Sequence, residues 1–97
     1  MIQSFADRGT EDLFAGESTR AARSVCPERI WSVARRKLDY LDSATVLADL
    51  RQPSGNRLEA LRGARQGQHS IRINDQFRIC FVWTPQGPNE VSIVDYH

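Results

Sequence analysis

Ser70-Ile71-Arg72-Ile73-Asn74-Asp75-Gln76-Phe77-Arg78-Ile79 alternates apolar and polar side chains on both sides of an Asn-Asp pair. A period of two marks a strand with one buried face, and Asn-Asp is a turn signal that folds two such runs into a hairpin. Ile71 and Ile73 fall on one face of the outgoing run. Phe77, Ile79, Phe81 and Trp83 fall on one face of the return run, with Arg78, Cys80 and Val82 on the other. Arg72 and Arg78 are out of phase with the apolar residues, so they should stand together on the face away from the core. Spacing alone leaves two possibilities open: a phosphate-binding face, or an ordinary solvated sheet surface.

Working outward, residues 57–62 and 68–73 give two strands joined by a basic turn, Gly63 to Gly67, that contains Arg65. Thr84-Pro85-Gln86-Gly87-Pro88-Asn89 closes a second hairpin, because proline cannot donate to a ladder and glycine accepts positive φ. Val91, Ile93 and Asp95 then alternate with Ser92, Val94 and Tyr96 in a final strand. Positive charge gathers in this sheet region. Residues 57–80 hold five arginines (Arg57, Arg62, Arg65, Arg72, Arg78) against two acids (Glu59, Asp75), while residues 1–56 balance eight basic against eight acidic side chains.

Upstream, the periodicity is mostly helical. Residues 2–7 alternate weakly and suggest a short first strand. Thr10 is the expected N-cap of a short helix that Gly16 stops, and residues 17–25 are small and polar, as in a connector. Pro27 opens a clearer helix, in which Ile30, Trp31, Ala34, Leu38 and Leu41 form one apolar stripe while Arg29, Arg35, Arg36, Lys37 and Asp39 are expected to face away. Asp42 or Ser43 is the expected cap of another short helix through Val46, Leu47 and Leu50, and Gln52-Pro53-Ser54-Gly55-Asn56 is the strongest loop signal. The order strand, helices, antiparallel strands predicts an α+β fold, an N-terminal strand and helices packed on one face of a mostly antiparallel curved sheet.

Ninety-seven residues make one domain, 40% apolar and 26% charged, with a net charge of only +1. Bulk charge therefore cannot bind a polyanion, and a local patch would have to. Twelve of the thirteen basic residues are arginine, whose planar fork suits bidentate phosphate contact. Cys26 and Cys80 lie far apart in no metal-ligand spacing, and Cys80 sits inside an apolar run where a buried thiol is expected; a reducing compartment is the natural inference. Residues 1–8 do not have the pattern of a signal peptide, and no run reaches membrane length.

Taken as an ordered set, Met1-Ile-Gln-Ser-Phe5, Leu58 with Leu61-Arg62-Gly63, Ser70-Ile71, Phe77-Arg78-Ile79 and the closing Asp95-Tyr96-His97 resemble the HigB branch of the RelE/ParE toxin superfamily. The resemblance covers nearly the whole chain, and the terminal tripeptide is its most specific part. It implies a RelE-like toxin domain over residues 1–97 that cuts mRNA in the ribosomal A site and acts in the cytoplasm without a metal or other cofactor. It also implies a HigA-like helix-turn-helix antitoxin as partner, with operator DNA bound only through that complex.

Carried over residue by residue, Arg78 matches the phosphate-stabilising arginine and Arg62 the basic position before glycine. Asp95, Tyr96 and His97 match the terminal catalytic group. His97 is expected to do acid–base work because imidazole titrates near neutrality, Tyr96 to stack on a base or bond the phosphate, and Asp95 to orient a partner. Arg57, Arg65 and Arg72 complete the expected RNA-binding set. The resemblance has one departure: HigB relatives with a histidine in a Leu-His-Pro-Leu-Lys-Gly segment use it in the site, and here that position is Glu59, followed by Ala60. Glu59 either substitutes as base or leaves His97 with less help; His69, the other imidazole close by at the start of the second strand, either compensates or is a simple exposed strand residue. Two other functions fit the same scaffold: a non-enzymatic ParE-like gyrase poison, and an inactive binding module.

Overall fold

The computed structural model describes residues 1–96. Three helices, α1 (Arg8–Phe14), α2 (Arg20–Val25) and α3 (Trp31–Ser43), precede four strands, β1 (Glu59–Ala60), β2 (His69–Arg72), β3 (Phe77–Thr84) and β4 (Gly87–Asp95). The strands form one antiparallel sheet in the order β1-β2-β3-β4. The α+β class and the antiparallel run of strands agree with the sequence expectation.

The core fills the space between the helices and one sheet face. Ile30, Trp31, Ala34, Leu38 and Leu41 from the helical region meet Ile71, Ile73, Phe77, Ile79, Phe81, Val91 and Ile93 from the sheet, all of them buried. Register explains why these sheet residues share a face: Ile71 pairs with Ile79, and Ile79 with Ile93. Burying each such side chain contributes roughly 1.5–3 kcal/mol relative to leaving it exposed.

Several local expectations are corrected. The first strand reduces to a single parallel bridge, Phe5 to Val91, although residues 3–6 do bond along β4. Asp7, rather than Thr10, caps α1: its carboxylate accepts from the Thr10 N–H at 2.6 Å and from the buried Thr10 hydroxyl at 3.0 Å, and that hydroxyl in turn accepts from the Ile93 N–H of β4 at 3.1 Å. Gly16, at φ +81°, does stop the helix. Within residues 17–25 lies α2 rather than a connector. Thr19 caps it, accepting from the Ala22 N–H at 3.1 Å, and Gly9 lets α1 and α2 pack tightly, since a Cβ there would lie 2.4 Å from the Ala21 carbonyl oxygen.

Lys37 does not face solvent. It is 6% exposed and donates to Asn56 Oδ1 at 2.5 Å, while Asn56 Nδ2 donates to the Leu50 and Gln52 carbonyls at 3.2 Å each. This bridge ties α3 to the loop before β1. Burial pulls the Lys37 ammonium below its ordinary pKa, and the charges of Arg36 and Arg72 add to the shift. Neither Asp42 nor Ser43 caps a further helix. Asp42 accepts from the Ile2 N–H at 2.9 Å, and Val46, Leu47 and Leu50 belong to a 3-10 turn, Leu47–Arg51, whose start is closed by the Asp49 carboxylate. Finally, the expected strand at 57–62 shortens to β1, because Arg57 is left-handed at φ 46°.

Candidate active site

The sheet face turned away from the helices is defined by the ladder. Ser70 pairs with Cys80, Arg72 with Arg78, Arg78 with Val94, and Glu59 with Ser70, so all these side chains point the same way. Tyr96, two residues after Val94, continues that face, held by its N–H to the Gln76 carbonyl at 2.6 Å.

Arg72 and Arg78 are closer than a generic cross-strand pair. The Ile73 N–H bonds the Phe77 carbonyl at 3.0 Å, which makes residues 73 and 77 a hydrogen-bonded pair and residues 72 and 78, one step on, a non-hydrogen-bonded one. Non-hydrogen-bonded pairs bring their Cα atoms to about 4.5 Å. Two like charges directly opposite at that spacing are destabilising. Each arginine meets this cost with a local carboxylate: Arg72 bonds Asp75, which is 98% exposed, and Arg78 Nη1 bonds Glu59 Oε1 at 3.0 Å. The Arg78 guanidinium also lies 5.0 Å from the centre of the Tyr96 ring, within cation–π range.

Beneath these charges are unmet polar atoms. Arg78 Nε and Ser70 Oγ are shut from solvent and bond nothing among the described residues. Buried polar groups usually have partners, and an unpartnered donor beside two cations whose counterions sit near the surface suits an incoming anion. Cys80 is fully buried on this face. Burial raises its thiol pKa, while the nearby charges of Arg65 and Arg78 oppose the shift. Arg65 therefore belongs to the same neighbourhood. It donates to Gln68 Oε1 at 3.2 Å.

The structure thus brings together Arg72, Arg78, Glu59 and Tyr96, with Arg65 beside Cys80. It separates others. Asp95 pairs with Phe77 and so points to the opposite face from Tyr96, where it accepts from Gln76 Nε2 at 3.1 Å. Arg57 and Arg62 are exposed at the two ends of β1. His69 stands off the arginine face: it pairs with Phe81 on the helix-facing side, its ring stacked on Phe81 at 6.2 Å. His97 lies outside the described residues. Sequence reasoning passed over Ser70 as a site residue, although its phase, two residues before Arg72, places it on the arginine face.

The sequence model of the HigB-like toxin family, described as RelE-like toxin of the type II toxin–antitoxin system HigB, matches residues 3–97. Toxin HigB-1 of Vibrio cholerae serotype O1 is 40% identical over 83 residues, 86% of this chain and 84% of that protein. Endoribonuclease HigB of Proteus vulgaris is 29% identical over 97 residues, covering all of both chains, and an uncharacterized protein of Haemophilus influenzae is 36% identical over 70 residues, 72% of this chain and 69% of that protein. With the ordered arginine face, the α+β scaffold and a match along nearly its full length, the chain belongs to the HigB-like family of type II toxin–antitoxin toxins.

Proposed function

We propose that the chain is a metal-independent endoribonuclease that cleaves mRNA in the ribosomal A site and so inhibits translation in the cytoplasm. The observation that carries this is the facing Arg72/Arg78 pair, with Tyr96 against Arg78 and each arginine bonded to a carboxylate near the surface. In the proposed complex a scissile phosphate displaces Glu59 from Arg78, and Arg72 and Arg65 hold the flanking backbone. Arg57 and Arg62 extend the basic track at the rim. The name of the Proteus vulgaris relative, an endoribonuclease, supports the same chemistry.

The RNA supplies its own nucleophile. Its 2′-oxygen attacks the adjacent phosphorus as a base takes the proton, and the 5′-oxygen leaves with a proton from an acid, giving a 2′,3′-cyclic phosphate and a 5′-hydroxyl. Glu59, once displaced, is the carboxylate nearest the attacking hydroxyl and serves as base; His97, the residue after Tyr96, serves as acid. Arg78 stabilises the extra negative charge of the phosphorane, an effect worth ~10²–10³-fold when one such donor is removed. Tyr96 stacks on a base of the bound strand. In this proposal Asp95 acts through Gln76, fixing the strand end, rather than on the substrate. The partner is a helix-turn-helix antitoxin, and operator DNA is bound only by the complex.

Translation reactions with primer extension test this on wild type, Arg78→Ala and His97→Ala. Wild type should cut within the A-site codon, and both variants should lose cleavage. Unaltered cleavage in both would overturn the site, and intact mRNA with accumulating DNA breaks would point to a gyrase poison.

A further inference from the structure

The sheet has two edges, and the fold treats them differently. Along β4 the outward groups are taken: Gln3 N–H bonds the Pro88 carbonyl at 2.7 Å, Val91 N–H the Ser4 carbonyl at 3.1 Å, Ala6 N–H the Val91 carbonyl at 2.9 Å, and Ile93 N–H the Thr10 hydroxyl. Residues 1–3 press so close that a Cβ on Gly87 would lie 2.2 Å from the Met1 carbonyl oxygen. β1 has no such cover. Leu61 N–H bonds the Gln68 carbonyl at 2.9 Å, so the next pair, Ala60 with His69, is non-hydrogen-bonded. The N–H and C=O of Ala60 therefore point off the sheet, and no described residue bonds them. Open edges are ready templates for another strand.

Beside this edge is a groove of about 400 Å³ lined by Leu47, Ala48, Arg51, Leu58, Ala60 and His69. Leu47, Ala48, Leu58 and Ala60 give it an apolar patch beside the polar groups of Arg51 and His69, and Val46 next to Leu47 is 55% exposed. His69 Nδ1, shut from solvent, bonds nothing among the described residues. Arginine dominates the charge around β1: Arg51 lines the groove and Arg57 and Arg62 flank the strand, all three exposed, while the carboxylate of nearby Asp49 is engaged by Thr45 and Val46 at the start of its own turn. Glu59, the acid within β1, points to the opposite face and is engaged by Arg78.

We propose that this groove and the β1 edge are where the antitoxin docks, through an extended acidic segment that adds a strand to β1 and seats an apolar side chain among Leu47, Ala48 and Leu58. The inference rests on the toxin–antitoxin reading above and names the surface. Main-chain bonds at Ala60 supply affinity, and the groove supplies selectivity for the anchoring side chain. RNA is the poorer occupant, since the outward N–H and C=O of Ala60 match the alternating donor and acceptor of a peptide backbone, and Leu47, Ala48 and Leu58 offer a seat for an apolar side chain. A strand added here runs about 4.8 Å from β1 and so borders Glu59, which couples docking to the catalytic face without occupying it.

Full-length toxin variants Arg51→Glu and Ala48→Trp, both at exposed positions, test the proposal by calorimetric titration with the full-length antitoxin. Each should weaken binding by about 10-fold or more, with melting temperature and antitoxin-free mRNA cleavage as in wild type, and co-expressed antitoxin should no longer protect cells. Affinity within about 2-fold of wild type for both folded variants would overturn it. Cleavage that falls while antitoxin affinity holds would also overturn it, by assigning the groove to RNA. Wild-type protein that binds antitoxin here but never cuts mRNA would sink the nuclease proposal and leave the docking surface standing.

Discussion

Ile71 faces Ile79 across the β2–β3 ladder, and one residue along the same ladder Arg72 faces Arg78. The two pairs share a backbone and differ in everything that side chains do. The isoleucines are fully buried in a hydrocarbon layer, and their contacts hold the helices to the sheet. The arginines oppose like charge to like charge, lean on surface carboxylates, and leave Arg78 Nε without a bond among the described residues. One face of the hairpin is organised for stability; the other carries local costs that an anionic ligand would relieve. Sites that break packing and charge rules are where function is expected.

The largest expected effect tests the stable face. Phe81→Ala removes a fully buried ring and should cost about 3–5 kcal/mol in urea unfolding, close to the whole stability of a small domain. If that variant does not fold, Ile79→Val should lose about 0.5–1.5 kcal/mol and keep the comparison measurable. Arg78→Ala, on the other face, should shift unfolding by less than about 1 kcal/mol, because it removes a like-charge opposition together with one partly exposed ion pair. The same variant should reduce mRNA cleavage ~10²–10³-fold. Equal effects of Phe81→Ala and Arg78→Ala on stability would break the division between the faces.

A subtler pair compares buried polar groups. Asn56 has three satisfied bonds linking Lys37 to the Leu50 and Gln52 carbonyls, so Asn56→Ala strands a buried ammonium and should cost about 1–3 kcal/mol. Ser70 is as deeply buried but its hydroxyl bonds nothing among the described residues, so Ser70→Ala should be neutral or slightly stabilising in the same melt while weakening mRNA binding. A Ser70→Ala variant as damaging to stability as Asn56→Ala would mean that Ser70 Oγ is engaged by the fold after all.

The arginine face was legible because strict alternation through residues 70–79 leaves little choice of phase. The opposite placement of Asp95 and Tyr96 was legible for the same reason, since neighbours in a strand cannot share a face, but the family tripeptide invites treating them as one group. Lys37 was misplaced by residue type. Its helical phase, three after Ala34 and four before Leu41, puts it on the apolar stripe, and only the partner Asn56, nineteen residues away, makes that tolerable. α2 was missed because its Arg-Ala-Ala-Arg-Ser-Val run buries Ala22 alone, so almost no apolar period marks it; Thr19 was the available cue. The closed β4 edge and the open β1 edge depend on contacts between residues more than eighty apart, or on their absence, and neither has a local signature.

The smallest expected effect lies among the helices, where a carboxylate is held by the fold rather than kept in reserve for a ligand. Asp12 accepts from the Thr19 hydroxyl at 2.7 Å and from Arg8 Nε at 3.0 Å, joining α1 to the cap of α2. The Thr19 hydrogen bond, followed by the Arg8 contact, outweighs desolvation and holds the Asp12 carboxyl below its ordinary pKa. A carboxyl depressed in the folded state contributes stability that is present above its unfolded pKa, near ~4, and is lost as pH falls through the folded value. Thr19→Val removes the α2 cap, which lowers stability by a similar amount at every pH, and with it the principal cause of the depression, so the acid limb of its stability curve should be shallower than that of wild type below about pH 4. Urea midpoints measured from neutral pH downward read this directly. Parallel acid limbs in the two proteins would show that the Asp12–Thr19 contact does not set the proton affinity of this carboxyl.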